Sequence, residues 1–285
     1  MQLYTINTGN FKLDGGAMFG VVPKSMWNKL NPADENNMCS WAMRCLLIED
    51  NGKLILIDNG MGDKQDAKFF GHYFLHGDDT LDKSLAQHGF SKEDITDVFL
   101  THLHFDHCGG SIARQGDQLV PAFKNATYWS NERHWKWATE PNDREKASFL
   151  KENILPIQQS GQLKFINASE QGSTDASQIL DGLKVYFAFG HTDAMMLPMI
   201  NYKGRTIVFM ADLLPAVAHI PLPYVMAYDM FPLTTLHEKR SFLSEALEKD
   251  YTLFFEHDPL IECCTLQQTD KGIRCKDIFR LSELG

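Results

Sequence analysis

The sequence predicts an α/β fold in which two mixed β-sheets pack face to face and helices flank both outer sides, an αββα sandwich. Strand-like runs rich in branched apolar residues recur along the 285-residue chain, and runs with helical spacing fall between some of them. A pattern near residue 55 also returns in similar form near residue 207. Two such halves, each a sheet covered by helices, would bury their apolar faces against one another.

The predicted strands are short segments of branched and aromatic residues bounded by turn residues. They cover residues 3–7, 44–49, 54–58, 97–101, 126–129, 183–188, 206–212 and 252–256. Apolar residues at helical spacing predict helices over residues 80–88 and 236–249, and residues 132–137 and 143–159 are further candidate helices. By contrast, residues 12–45 carry few strand or helix signals.

The internal similarity joins residues 52–58 to residues 204–212. Each segment reads as a turn, then a buried strand, then an aspartate at the strand end, Asp58 in the first and Asp212 in the second. We therefore expect one domain over residues 1–285, with chemistry-bearing loops gathered at one edge of the sandwich.

Composition limits the classes of function. Hydrophobic residues make up 44% of the chain and charged residues 22%, which is typical of a soluble globular protein. The net charge of −10 does not favour binding to nucleic acid. The first residues lack the basic and apolar regions of a signal peptide, and no apolar run approaches the roughly 18 residues of a membrane span.

The six cysteines show no paired metal-binding spacing, and the chain is too long to need a disulfide framework. We predict reduced thiols in a cytoplasmic protein. Cys108 lies beside a histidine-rich run, and it reads as a small buried packing residue.

Residues 101–110 read Thr-His-Leu-His-Phe-Asp-His-Cys-Gly-Gly and follow a predicted strand. In an extended segment, side chains two residues apart share one side, so His102 and His104 would point the same way. The turn that follows can direct Asp106 and His107 toward a second point. Imidazole with carboxylate suits zinc, and also iron or manganese. The run therefore predicts a metal site.

These four side chains are too few to hold two metal ions. Three further candidates each follow an apolar run, where a ligand would emerge at the sheet edge: His191, Asp212 and His257. Any one of them alone could be an ordinary polar loop residue. Together with the histidine-rich run they predict a site for two metals.

The ordered pattern His-x-His-x-Asp-His, then His, Asp and His, resembles the metallo-β-lactamase superfamily, which has the αββα fold. The resemblance implies two Zn²⁺ ions per chain, with other divalent metals as alternatives. The implied ligands of the first ion are His102, His104 and His191, and those of the second are Asp106, His107 and His257. Asp212 would bridge the two ions, and Asp58 would support the first ligand loop by orienting its imidazoles.

Individual positions narrow the group that the chain resembles. The commonest dizinc β-lactamases have cysteine where this chain has Asp212, and diiron flavoproteins usually have glutamate at His104. Residues 13–24 resemble the opening of the N-acyl homoserine lactonase and methyl parathion hydrolase-like group. Residues 258–285 are too few for the helical domain by which glyoxalase II enzymes bind glutathione.

The resemblance therefore implies a quorum-quenching N-acyl homoserine lactonase. A metal-bridging hydroxide would attack the lactone carbonyl, and the partner would be a small-molecule lactone or ester. Three alternatives stay open: a phosphotriester or aryl ester hydrolase, a glyoxalase II-like thioesterase, and a non-catalytic protein with structural or sensory metals. The oligomeric state is also open, with a homodimer as the candidate.

The substrate side departs from the family pattern. Lactonases of this type commonly have a tyrosine three residues after the bridging aspartate, where this chain has Pro215. His219, Tyr224 and Tyr228 follow on the same loop and are candidate replacements. We expect Asp106 or Asp212 to shuttle the proton and His219 to donate it to the leaving oxygen. The alternative for His219 is a hydrogen-bonded loop histidine.

An acyl chain would need an apolar trough. The candidate side chains for it are Met18, Phe19, Met26, Trp27, Phe69 and Phe70, with core packing as the alternative for each.

Overall fold

The computed structural model describes residues 1–170 and 172–284. Their strands form sheets of six, seven and two strands. In order across the first sheet, the strands are β1 (Gln2–Asp14), β2 (Met38–Asp50), β3 (Lys53–Ile57), β4 (Asp97–Phe99), β7 (Thr127–Ser130) and β8 (Leu163–Phe165). The small sheet is the hairpin of β5 (Ile112–Gln115) and β6 (Gln118–Pro121).

In the seven-stranded sheet each strand lies beside its neighbours in the sequence. These strands are β9 (Ser173–Asp175), β10 (Lys184–Ala188), β11 (Met195–Tyr202), β12 (Arg205–Phe209), β13 (Thr252–Phe254), β14 (Cys263–Thr269) and β15 (Gly272–Phe279). Strands β3, β4, β7 and β8 pair in parallel, as do β12 and β13, and the other pairs are antiparallel. The prediction of two mixed sheets is confirmed.

The helices are mostly short. They are α1 (Gly15–Phe19), α2 (Lys24–Trp27), α3 (Ala67–Tyr73), α4 (Leu81–Gln87), α5 (Phe105–Cys108), α6 (Glu132–Thr139), α7 (Lys151–Gln159) and α8 (Pro232–Glu248). Side-chain caps define several of their starts: Thr80 accepts from the Lys83 amide at α4, and Asn131 accepts from the His134 amide at α6. Among the described residues, no helix combines the length and the apolar character needed to cross a membrane.

Successive side chains of a strand point to opposite faces of its sheet, and the first sheet is packed on both faces. In β2, Leu46 and Ile48 join the core between the two sheets, while Cys45 and Leu47 face α4, α6 and α7 on the other side. Helix α8 covers the outer face of the second sheet, where Tyr186 and Phe242 stand with ring centroids 5.6 Å apart. The layers run helix, sheet, sheet, helix, as predicted.

Several elements differ from the sequence-based expectations. The predicted helix over residues 143–159 begins only at Lys151, because the Asn142 side chain accepts from the amides of Arg144 and Glu145 and closes a turn instead. Strand β1 continues to Asp14 and β2 begins at Met38, inside the stretch that showed few signals. Strand β11 and the β14–β15 hairpin were not predicted.

Candidate metal centre

The histidine-rich run leaves the end of β4 as a loop that Asp58 holds in place. Asp58 follows β3 with a left-handed backbone (φ 54°). Its carboxylate accepts from the amide and the hydroxyl of Thr101, at 2.8 and 2.6 Å. Farther along, the amide of Leu103 donates to Nε2 of His134 at 2.9 Å. The loop therefore enters the site fixed at both ends, and α5 then presents the next two candidate ligands.

The first donor group consists of His102, His104, His191 and Asp212, all buried. Nδ1 of His104 lies 3.0 Å from Nε2 of His102 and 3.2 Å from Nε2 of His191. Oδ2 of Asp212 lies 3.2 Å from the same nitrogen of His191. Four potential ligand atoms from the ends of three strands thus converge on one point.

The second donor group consists of Asp106, His107 and His257. The Nε2 atoms of His107 and His257 are 3.1 Å apart, and Oδ2 of Asp106 lies 3.8 and 3.7 Å from them. Asp212 also reaches this group, because its Oδ1 lies 3.2 Å from Nε2 of His257. Oδ2 of Asp212, besides its contact with His191, lies 3.6 Å from Nε2 of His107, so the carboxylate lies between the two groups.

Each imidazole has an oxygen atom against its outer nitrogen. Glu145 lies 2.9 Å from His104, Asp229 lies 2.8 Å from His191, and Glu256 lies 2.9 Å from His107. Two further contacts complete the set: the Ala42 carbonyl is 2.7 Å from His257, and the Thr101 hydroxyl is 3.1 Å from His102. Such outer partners select the tautomer whose inner nitrogen carries a lone pair.

Burial and charge act against each other in the protonation of the site. Burial, with the neighbouring His107 and His104, holds the pKa of His102 well below its usual value. Burial also opposes protonation of His257, but Asp212 outweighs it and raises the pKa of His257 to about 9. Despite burial, the pKa of the Asp212 carboxyl lies well below its usual range, because His257, His107 and His191 stabilise its charged form. A cation can take the place of these protons.

The donor set fits two divalent metal ions. Around a tetrahedral zinc ion with nitrogens at about 2.0–2.1 Å, neighbouring nitrogens stand roughly 3.3 Å apart, which is close to the spacings of the first group. Neutral imidazoles with outer acceptors turn lone pairs toward one another, an arrangement that needs a cation between them. Oδ1 of Asp212 is buried and makes no hydrogen bond to any described residue. Its lone pairs are therefore available to a cation.

A cavity of about 350 Å³ opens onto these groups. Its floor, which we call the cavity floor, consists of His104, Asp106, His191 and Asp212. Its sides include Leu13, Tyr73, Phe105, Arg144, Ser148, Ala227, Tyr228 and Met230. Of the eight residues predicted to bind substrate, Tyr228 lines this cavity and the other seven do not. Burial, with Asp14, Tyr73 and Asp106 nearby, raises the pKa of the Tyr228 hydroxyl.

Most of the predicted apolar trough packs into the protein instead. Met18, Phe19 and Trp27 are buried, and Phe19 stacks on Trp27 with ring centroids 5.1 Å apart. Phe69, Phe70 and Tyr224 are partly buried against the same cluster, while Met26 is exposed. The segment over residues 15–27 folds into two short helices that turn Met18, Phe19 and Trp27 inward and leave Met26 outside.

His219 is part of that apolar cluster. Its ring stacks on Phe19 with centroids 4.7 Å apart, and its Nε2 lies 2.9 Å from the Met18 carbonyl oxygen, to which it donates. Burial lowers the pKa of His219 to about 3, so the ring is neutral near pH 7. These surroundings suit a packed, hydrogen-bonded histidine, the alternative considered for it above.

Three acidic residues of the site were missed in the sequence: Glu145, Asp229 and Glu256. All three are buried behind the imidazoles. Glu256 directly precedes His257, and that adjacency was the available signal. Glu145 and Asp229 lie 41 and 38 residues from the histidines they contact, so no short spacing marks them.

Comparison with known protein families gives one match. The sequence profile of the Metallo-beta-lactamase superfamily matches residues 44–257, which hold every residue of both donor groups. Among curated proteins, an N-acyl homoserine lactonase of Bacillus cereus is 27% identical over 219 residues, which are 73% of this chain and 74% of the relative. A second, from Bacillus thuringiensis, is 28% identical over 129 residues, 42% of this chain and 47% of that relative.

Solved structures share the fold over nearly the whole length. A probable metal-dependent hydrolase from Staphylococcus aureus superimposes with a TM-score of 0.87 at 27% identity, covering 100% of this chain and 98% of that one. AidC, a dizinc quorum-quenching lactonase in complex with a product, superimposes with a TM-score of 0.77 at 21% identity, covering 98% and 95%. At 21% identity, the similarity to AidC shows a shared fold and no more.

Proposed function

The chain belongs to the metallo-beta-lactamase superfamily, and we propose that it is a dinuclear zinc hydrolase that opens the lactone ring of N-acyl homoserine lactones. One observation carries the proposal. The two carboxylate oxygens of Asp212 each lie 3.2 Å from a histidine of a different donor group, at the base of an open cavity. A carboxylate so placed can bridge two ions and leave both reachable by substrate.

These side chains would hold two divalent ions. His102, His104 and His191 would hold the first, Asp106, His107 and His257 would hold the second, Asp212 would serve both, and Asp58 orients the loop between β4 and α5. When bound, two divalent ions supply Lewis acidity, which polarises an ester carbonyl and makes water nucleophilic near neutral pH. The buried carboxylates behind the imidazoles keep their inner nitrogens available.

Protein groups at the cavity handle the proton. Water adds to the lactone carbonyl carbon, the ring C–O bond breaks, and the proton of the water ends on the ring oxygen, which becomes the hydroxyl of N-acyl homoserine. Asp106 and Asp212 line the cavity, so either carboxylate can carry that proton. The Tyr228 hydroxyl stays protonated because its pKa is raised, and it can donate a hydrogen bond to a substrate oxygen.

The relatives support a lactone as substrate. Two lactonases from Bacillus align with the sequence, and a lactonase crystallised with its ring-opened product shares the fold. The donor types agree with the zinc assignment, since imidazole and carboxylate are common zinc ligands.

A second candidate is an aryl ester hydrolase using the same residues. Tyr73 and Phe105 line the cavity with ring centroids 4.6 Å apart, and Tyr228 adds a third aromatic side chain. These faces can stack on an aromatic leaving group.

A substrate panel with metal analysis on the same sample tests the proposal. We expect close to two equivalents of zinc and kcat/KM for N-hexanoyl homoserine lactone well above the values for a paraoxon-type ester, an aryl ester and lactoylglutathione. Asp106→Asn should lose most turnover, whereas Asp143→Asn, a change at an exposed carboxylate, should keep it. One equivalent or less of metal after supplementation, or a faster rate on another member of the panel, contradicts the proposal.

A further inference from the structure

Arg144 stands on the rim of the cavity with much of its hydrogen-bonding capacity unused. Its Nη2 donates to the Ala227 carbonyl and lies 3.3 Å from the Asp229 carbonyl, so the guanidinium is anchored across the cavity mouth. Within residues 1–170 and 172–284, its Nη1 and Nε have no hydrogen-bond partner, and no carboxylate pairs with it. An exposed arginine fixed at one end therefore presents free donors to the cavity.

The other polar groups on the cavity sides are also donors. Tyr73, Tyr228 and Ser148 line the cavity, and within the described parts of the chain none of their hydroxyls has a hydrogen-bond partner. The carboxylates at the site, by contrast, face imidazoles. A ligand above the cavity floor can therefore accept hydrogen bonds from these hydroxyls and from Arg144, whose positive charge suits an anionic group.

The apolar trough expected for a long alkyl chain does not line the cavity. The side chains expected to form an apolar trough, Met18, Phe19 and Trp27, are buried among themselves and do not line the cavity. Leu13, Phe105 and Met230 supply the apolar surface that remains, beside Tyr73 and Tyr228. An acyl chain can pack against this apolar surface while a polar end reaches Arg144 and the hydroxyls.

We propose that Arg144 and its neighbouring hydroxyls form a carboxylate subsite, so that the preferred substrates are lactones or esters whose acyl part ends in a carboxylate. The inference rests on the proposed function, because it concerns the substrate of the same site. A planar guanidinium can meet a carboxylate with two parallel hydrogen bonds, and such pairs are stronger than neutral ones.

Matched substrates test the subsite. N-butanoyl and N-succinyl homoserine lactone have acyl chains of equal length and differ in a terminal methyl or carboxylate, as do the N-hexanoyl and N-adipoyl pair. We expect kcat/KM to favour the anionic member of a pair by ~10-fold, a modest factor because Arg144 is exposed. Arg144→Gln should remove that preference mainly by raising KM for the anionic lactone, and Arg144→Lys should restore part of it. Lys146→Gln, at an exposed cation paired with Asp143, is the matched control.

Arg144 also anchors residues 227–229, so a purely structural role needs its own readout. Loss of that anchor would lower turnover of neutral and anionic lactones alike, and that result overturns the proposal. Calorimetric binding of the ring-opened products, N-butanoyl and N-succinyl homoserine, to the zinc-loaded protein requires no turnover and so separates this inference from the proposed function. Tighter binding of the succinyl product, lost in Arg144→Gln, supports the subsite. Equal binding of both products, or binding of neither, overturns it.

Discussion

The cavity floor and the loop beside it are held by different kinds of contact. On the floor, buried side chains fix one another: Glu145 orients His104 and Asp229 orients His191, at 2.9 and 2.8 Å. The adjoining wall loop, residues 221–231, is fixed through its backbone, since Lys239 of α8 donates to three of its carbonyls and Arg144 to two. Few floor residues can therefore change without loss of the site, whereas some wall-loop side chains, such as Ala227 and Tyr228, are exposed.

The two regions nevertheless meet at His191. The amides of Met230 and Phe231 donate to the carbonyls of His191 and Gly190, so the wall loop is hydrogen-bonded to the backbone of a candidate ligand. Glu238, next to Lys239 on α8, accepts from the amides of Phe189 and Gly190. Helix α8 thus contacts both regions. Substitutions in each region can show which residues act in the reaction and which select the substrate.

The largest effect should come from Asp212 on the floor. Asp212→Asn removes a charge shared by both donor groups, so we expect the metals to be lost together and turnover to fall by more than ~100-fold. Elemental analysis and kcat measured on one sample check this. Asp193→Asn, which breaks a surface pair with Arg133, is the control and should leave both values unchanged. A variant with near-normal turnover would show that Asp212 is not the bridge.

A smaller loss should follow from Asp229, which touches His191 from behind. Asp229→Asn keeps the shape of the side chain but weakens the bond to Nδ1, and outer partners of this kind contribute roughly 10–100-fold to metal affinity or activity. A competition titration with a zinc chelator measures the affinity. A normal zinc affinity in Asp229→Asn would show that Asp229 does not support metal binding through His191.

The floor could be predicted from the sequence far better than the wall. His102, His104, Asp106 and His107 fall within six residues, and such a spacing of ligand types has few structural explanations. Apolar residues such as Phe19 and Trp27 give no comparable signal, because a large side chain on an irregular segment reads the same whether it lines a cavity or packs inward. Several strands could be predicted from runs of branched apolar residues, whereas β11, whose residues are nearly all buried, shows no alternation that would mark it as a strand.

Substitutions at Tyr228 and His219 compare a residue that lines the cavity with one that packs in the apolar cluster. Tyr228→Phe removes the hydroxyl at the cavity, and we expect turnover to fall by about 10-fold if that hydroxyl donates to a substrate oxygen. His219→Gln keeps an amide donor for the Met18 carbonyl but cannot titrate, and it should leave turnover within a few-fold of wild type. Steady-state kinetics with metal content held equal compare the two. A loss of 10²–10⁴ in His219→Gln alone would restore the proton-donor role expected for it from the sequence.

The smallest effect on turnover should come from Lys239, which braces the wall loop from below. Its Nζ lies 2.7 Å from the Tyr224 carbonyl and 3.2 Å from that of Pro221, and burial lowers its pKa to about 7. In the unfolded chain a lysine has a pKa of about 10.4. Between these values the unfolded state binds the proton and the folded state does not, so this lysine makes the free energy of unfolding rise with pH from about 7 to 10.

In Lys239→Met that contribution is absent. We therefore expect wild type to gain on the order of 1–3 kcal/mol over Lys239→Met when urea unfolding is compared at pH 7 and pH 9.5, with kcat at pH 7 changed by less than about 3-fold. Parallel pH profiles for the two proteins would mean that Lys239 keeps its charge when buried, held by the wall-loop carbonyls.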